Sequence, residues 1–204
     1  MVTSGNFPGL ILTLFLLLST SNVKAVDSYN FYAQNWPSGL HENVHKYHLG
    51  QGKDKLENGS YEYAMGDANF ILARFPNDPK GLQLAMNVAL DWPEKKLAAM
   101  PYFEKALRKY PQHGETWLIY GVYLHRLERM EKAVKAYKTA IEKSPSLAEA
   151  HYNLGLALVE LGMLEKANQA AQKAYQLGYP LPGLREKLQK KDEWEPNSQY
   201  NSSG

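Results

Sequence analysis

The sequence predicts an all-α fold, a solenoid of helical hairpins, and three observations carry that prediction. Residues 114–147 and 148–181 are two windows of 34 residues that overlay, with Gly121 on Gly155, Ala133 on Ala167 and Ala140 on Ala174. Tyr120 and Leu124 fall on Leu154 and Leu158, so large apolar residues recur at the same period as the small ones. Each window closes on a proline, Pro145 in the first and Pro180 one place late in the second. A fixed internal period marks an architecture in which each unit buries its apolar face against the next.

Each place has a physical reason. Gly121 and Ala133 are small, so the two helices of one unit can approach closely. Trp117, Leu124 and Tyr137 are large and fill the space between one unit and the next. Pro145 has no N–H and turns Ser144 away from helical geometry, which ends the second helix. The set Trp117, Tyr120, Gly121, Leu124, Ala133, Tyr137, Ala140 and Pro145 resembles the tetratricopeptide repeat, a helix–turn–helix unit of 34 residues. In the following window Gly155, Ala167 and Ala174 keep their places, His151 stands where Trp117 stood, and Ala171 replaces Tyr137.

The resemblance extends over about four units, near 45–79, 80–113, 114–147 and 148–181, within a solenoid of residues 41–180. In the first unit Gly52, Ala64, Ala68 and Pro76 occupy the places of Gly121, Ala133, Tyr137 and Pro145, with one additional residue before the next unit. In the second, Met86, Leu90, Ala99, Phe103, Ala106 and Pro111 match, but Asn87 replaces the small glycine. Pro93 stands where a second helix can begin, and Pro101 lies further in, where it kinks or delays that helix. Residues 182–191 form a capping helix with Leu184 and Leu188 on its inner side, and 192–204 read as a disordered polar tail in which Trp194 calls for a contact.

Ahead of the solenoid, residues 10–18 are apolar except for Thr13, too short for a membrane span and of the length of a signal-peptide core. Val23-Lys24-Ala25 is an acceptable cleavage site, so residues 1–25 read as a signal peptide cut between Ala25 and Val26. An uncleaved anchor or a buried apolar strand are the alternatives. Residues 26–40 hold Tyr29, Phe31, Tyr32 and Trp36, too aromatic for a disordered tail, and are expected to pack on the solenoid or on a partner. The chain lacks cysteine, which excludes disulfides and thiolate metal sites and suits a bacterial periplasm. A net charge of +2 leaves no electrostatic footprint for nucleic acid or an anionic membrane.

What the resemblance implies is a non-enzymatic adaptor that takes a protein or peptide segment in the groove lined by its first helices. The groove places are Leu49, Leu84, Leu118 and Tyr152, then Lys53, Val88, Val122 and Leu156, then Leu56, Asp91, His125 and Val159, a mostly apolar set. Leu84, Val88, Leu118, Val122, His125, Tyr152, Asn153 and Leu156 are the candidate binding residues. Asn153 alone matches a carboxylate clamp, which disfavours a receptor for C-terminal tails. An apolar groove takes up a partner's segment or the chain's own residues 29–36, or else these side chains pack on neighbouring helices. His41, His45 and His48, at i, i+4 and i+7 near Glu42, are candidate ligands for zinc or copper and support the alternative of a periplasmic metal- or small-ligand-binding protein. Against a metal, His48 and His151 both occupy the packing place of Trp117. No catalytic motif stands out, and neither an enzyme nor a cofactor is expected.

Overall fold

The structure, a computed structural model, describes residues 27–194. The expected cleavage point at Ala25 and Val26 and most of the expected tail lie outside the described residues. Within them the chain is all-helical: α1 (Leu40–Val44), which runs through a π-helical turn (His45–Leu49) into α2 (Gly50–Glu57), then α3 (Tyr61–Arg74), α4 (Pro79–Asp91), α5 (Met100–Lys109), α6 (Gly114–Arg126), α7 (Met130–Lys143), α8 (Ala148–Glu160), α9 (Leu164–Gln176) and α10 (Gly183–Gln189). Antiparallel neighbours pair as hairpins, α6 with α7 and α8 with α9 most closely, and successive hairpins stack. The result is a helical-hairpin solenoid closed by α10.

The turns show how the repeat is written into the backbone. Gly59, Glu128 and Gly162, at corresponding places, all adopt the left-handed region, with φ of 71°, 59° and 71°. The next amide in each reaches back five residues to a helix carbonyl: Ser60 to Lys55 at 2.8 Å, Arg129 to Leu124 at 2.9 Å and Met163 to Leu158 at 2.9 Å. This closes the first helix with a left-handed C-terminal turn and reverses the chain into the second. Second helices end in an equally regular way. Phe75, Tyr110 and Ser144 each precede a proline, leave helical geometry and donate to the carbonyl four residues back at 2.8 Å.

Close approach inside each hairpin depends on the small residues. A Cβ on Gly121 would lie 2.5 Å from the ring of Tyr137, which is fully buried. Ala133, Ala140, Ala167 and Ala174 are likewise fully buried. Trp117 and His151 prove to be equivalent as hydrogen-bond donors: the indole of Trp117 donates to the Pro111 carbonyl at 2.9 Å, and His151 Nε2 to that of Pro145 at 3.0 Å. Each ties its helix to the proline turn before it.

The second unit departs where its sequence does. Its second helix does not begin at Pro93; residues 92–99 form tight turns and α5 starts at Met100, with Pro101 in its first turn. A helix starting at the place of Met130 would need an N–H from Pro101 and would press the ring into the preceding carbonyl, so the first turn is lost. The Tyr123 hydroxyl donates to the Lys96 carbonyl and satisfies one of the groups so released. Asn87, in place of glycine, accepts from Arg126 Nη1 at 3.1 Å.

At the far end Leu184 and Leu188 are fully buried, and Leu184 lies against Gly155. The Tyr175 hydroxyl accepts from the Arg185 amide at 3.0 Å and donates to the Leu181 carbonyl at 3.1 Å. Arg185 stacks over the rings of both Tyr175 and Trp194, so Trp194 finds its contact on the cap.

The aromatic segment ahead of α1 packs on the chain itself, as a strap across the loops that join successive units. The Tyr29 amide donates to the Arg74 carbonyl at 2.6 Å and that of Phe31 to Asn77 Oδ1 at 2.9 Å. Asn30 Oδ1 accepts from the Tyr32 amide and from Asn77 Nδ2. Its own Nδ2 therefore faces His113 Nε2, at 3.1 Å, as a donor, and His113 must present a lone pair. Tyr32 stacks on that imidazole with centroids 4.3 Å apart, and Trp36 meets Phe75 edge-on at 5.1 Å. Burial, with the nearby Glu115 carboxylate next, pushes the Tyr32 hydroxyl up to about 12.

Three outcomes follow for stability. Gly121→Val forces the buried Tyr137 ring aside and costs about 1–3 kcal/mol, read as a lower urea midpoint. Glu128→Gly relieves a side chain in the left-handed region and raises stability by about 1 kcal/mol. Burial lowers the His113 pKa from 6.5, with Glu115 opposing. A depressed histidine binds fewer protons folded than unfolded, so stability falls as pH drops below that ordinary value. Hydrogen exchange at the Phe31 and Tyr32 amides, corrected for intrinsic rate, accelerates between pH 7.5 and 5.5 (roughly one unit either side of an ordinary imidazole). The acceleration is absent in His113→Gln, which keeps an acceptor and does not titrate.

Candidate functional site

The first helices α4, α6 and α8 lie side by side, and polar bridges cross between them. Arg126 of α6 reaches Asn87 of α4, and His125 Nε2 of α6 pairs with Glu160 Oε1 of α8 at 3.1 Å. His125 Nδ1 lies 3.4 Å from the Tyr137 hydroxyl. These bridges mark the face on which one unit's first helix meets the next, the face that the family resemblance implies for binding.

Past its first residue, Ala148, the accessible residues of α8 form one stripe: Glu149, Asn153, Leu156 and Glu160, at i, i+4, i+7 and i+11. The same places on α6 are Glu115, Ile119, Val122 and Arg126, of which Ile119 is buried. The eight candidate binding residues are thus divided. Leu84, Val88, Leu118 and Tyr152 are buried, at 3%, 0%, 5% and 7% exposure, and offer a partner no surface. Leu84 and Tyr152, at one place of the repeat, fill gaps beside their helices, Leu84 against Gly52 of the preceding unit and Tyr152 against Tyr179. Val122, His125, Asn153 and Leu156 stay partly exposed. The open surface is therefore mixed rather than apolar, and its charges (Glu115, Arg126, Glu149 and Glu160) escaped a reading confined to groove places. The i, i+4, i+7, i+11 spacing on α8 was the signal available for them. Burial, followed by the fields of Glu149 and Glu160, drives the Tyr137 hydroxyl well above the ordinary tyrosine value.

The three candidate metal-binding histidines are separated. The π turn His45–Leu49 holds more residues per turn than an α-helix, so His48 slips out of phase with His41 and His45. His48 Nδ1 meets Asp67 Oδ1 at 2.8 Å and stacks on Phe70, while Lys55 holds the other Asp67 oxygen at 2.7 Å. His41 and His45 point instead at Asp78, with Nε2 to Oδ2 distances of 3.0 and 2.7 Å. Asp78 Oδ1 accepts from the Gly81 amide at 2.9 Å and caps α4. Burial by itself would raise the Asp78 carboxyl; bonds from His45, the Gly81 amide and His41 outweigh it and hold the group below its usual value. The strap of residues 29–36 lies over this cluster and the unit loops, and at its far end Tyr32 comes near Glu115, where the α6 stripe begins.

Comparison with known proteins agrees with the architecture. Residues 124–162 match the family model described as TPR repeat, and residues 148–177 match that of the tetratricopeptide repeat. The peroxisomal targeting signal receptor of Saccharomyces cerevisiae is 31% identical over 99 residues, 42% of this chain and 16% of that protein. Superkiller protein 3 of the same yeast is 30% identical over 89 residues, 39% of this chain and 6% of that protein. The chain thus spans a small part of either relative. Among solved structures, pilF of Pseudomonas aeruginosa superposes with a TM-score of 0.58 at 19% identity, covering 75% of this chain and 71% of that one. MamA from Desulfovibrio magneticus gives 0.53 at 26% identity over 74% and 87%. A thermophilic TPR protein of Thermus thermophilus gives 0.54 at 21% over 74% and 80%. The chain carries tetratricopeptide repeats, and its described residues form a TPR-type solenoid.

Proposed function

We propose that this chain is a non-enzymatic scaffold of the cell envelope that binds a partner protein's segment along the stripe shared by α6 and α8. The observation that carries the reading is the accessible row of Val122, Asn153 and Leu156, flanked by Glu115, Glu149 and Glu160 on stacked first helices. Two apolar side chains beside three carboxylates suit a segment that presents a basic residue next to a small apolar one. Tetratricopeptide solenoids are typically protein-interaction scaffolds, and one relative is named as a receptor for a targeting signal, which supports a peptide ligand. The placement in the envelope, periplasmic after export, rests on the apolar run of residues 10–18 and on Val23-Lys24-Ala25. Among the described residues no helix is long and apolar enough to cross a membrane.

A photo-crosslinking residue at position 153 of the full chain, expressed in its native host, captures a discrete partner, and Glu149→Lys with Glu160→Lys weakens that complex about tenfold or more, roughly 1.4 kcal/mol. Both sites are exposed, so the variant keeps the wild-type circular dichroism, and its melting temperature falls only by what the His125–Glu160 pair and the acidic first turn of α8 contribute. A captured partner indifferent to the double change, or no capture from position 153, overturns the reading.

A further inference from the structure

Among the described residues, His41, His45 and Asp78 bring their ligating atoms within 4.8 Å of one another. We propose that these three side chains bind one divalent ion of the zinc class, joining α1 to the N-terminus of α4 beneath the aromatic strap.

The donors are right for such an ion. Two imidazole nitrogens and one carboxylate oxygen suit zinc, copper, nickel or cobalt, while calcium and magnesium favour all-oxygen sets. His41 and His45 are one helical turn apart, so both Nε2 atoms project from one face, and Asp78 approaches from α4. Zinc-class ions sit about 2.0–2.2 Å from such atoms, which sets tetrahedral ligands roughly 3.3–3.5 Å apart. The two Nε2–Oδ2 separations are 3.0 and 2.7 Å. Entry of an ion opens each by less than about 1 Å. Each ring turns Nε2 toward Asp78 Oδ2, and the same nitrogen presents its lone pair to an ion when the ring proton sits on Nδ1.

The surroundings are those of a built site. Asp78 is fully buried, and the Gly81 amide bonded to Oδ1 fixes the carboxylate with Oδ2 toward the two rings, the outer support that ligating carboxylates require. Phe31, Trp36 and Phe75 lie 5.3, 5.4 and 5.2 Å from the His41 ring and shield it from water. Three protein ligands leave a fourth position for water or for a partner's donor. Helix capping alone does not account for the arrangement. The equivalent helices α6 and α8 begin without any side-chain cap, and a cap needs one acceptor rather than a carboxylate with two imidazoles on one oxygen.

The untagged full chain, stripped with EDTA, is titrated calorimetrically with zinc chloride and spectroscopically with cobalt(II). The expected result is one equivalent of zinc, visible d–d absorption for the cobalt form, and a melting temperature that rises with zinc. His41→Gln and His45→Gln each lower the affinity by about 100-fold or more and abolish the rise, whereas His48→Gln changes neither. Glutamine still donates to Asp78, so the α4 cap survives and a loss of binding is not a loss of fold. Absence of stoichiometric zinc binding overturns the proposal, as does a His48→Gln variant that loses as much affinity as His41→Gln.

Discussion

The solenoid depends on one constraint: two helices of a hairpin must approach closely enough for a large side chain from one to lie over a bare backbone on the other. Gly121 beneath the Tyr137 ring is the clearest instance, with no room for even a Cβ. Once that contact forms, Leu124 and Tyr123 fall into the interior and the next hairpin has a flat surface on which to stack. Interior packing is as dense as an organic crystal, so a contact of this kind tolerates little change of volume. The same constraint recurs at the C-terminal end, where Leu184 of the cap replaces a further repeat over Gly155.

Where the constraint is relaxed, the chain changes shape in a correlated way. Asn87 stands in the glycine place, and the helix that would press on it has lost its first turn to Pro101. The two departures occur in one unit: α5 begins late, at Met100, and the Asn87 side chain is bonded by Arg126 of the next unit. The Tyr123 hydroxyl on the Lys96 carbonyl belongs to the same accommodation. The second unit is an altered hairpin in which tight turns within residues 92–100 pair backbone groups and Tyr123 of the next unit takes the Lys96 carbonyl.

The N-terminal strap and the histidine cluster meet at the edge of the solenoid, and the strap reaches the start of the α6 stripe at Glu115. Asn30 is central to this edge, because two donors orient its amide oxygen and so leave its Nδ2 to donate to His113 Nε2.

The sequence by itself determined the period, the hairpins and their ends. These are local matters: a residue before proline leaves the helix, a glycine takes the left-handed turn, and apolar spacing selects the buried face. It also identified the aromatic strap as a segment that must pack, and Leu184 and Leu188 as the inner side of a cap. Tertiary structure decided what depends on residues far apart in the chain. His41, His45 and His48 share one face of a regular helix, but the π turn rotates His48 to Asp67 and leaves the other two to Asp78, 37 and 33 residues away. No pattern within one helix shows where a carboxylate from the next unit lies. Likewise Leu84, Val88, Leu118 and Tyr152 occupy groove places yet are closed off. Whether a helix face stays open to a partner depends on how nearly the adjoining hairpins come together, and that distance is set by side-chain volumes summed across units rather than by the period of any one.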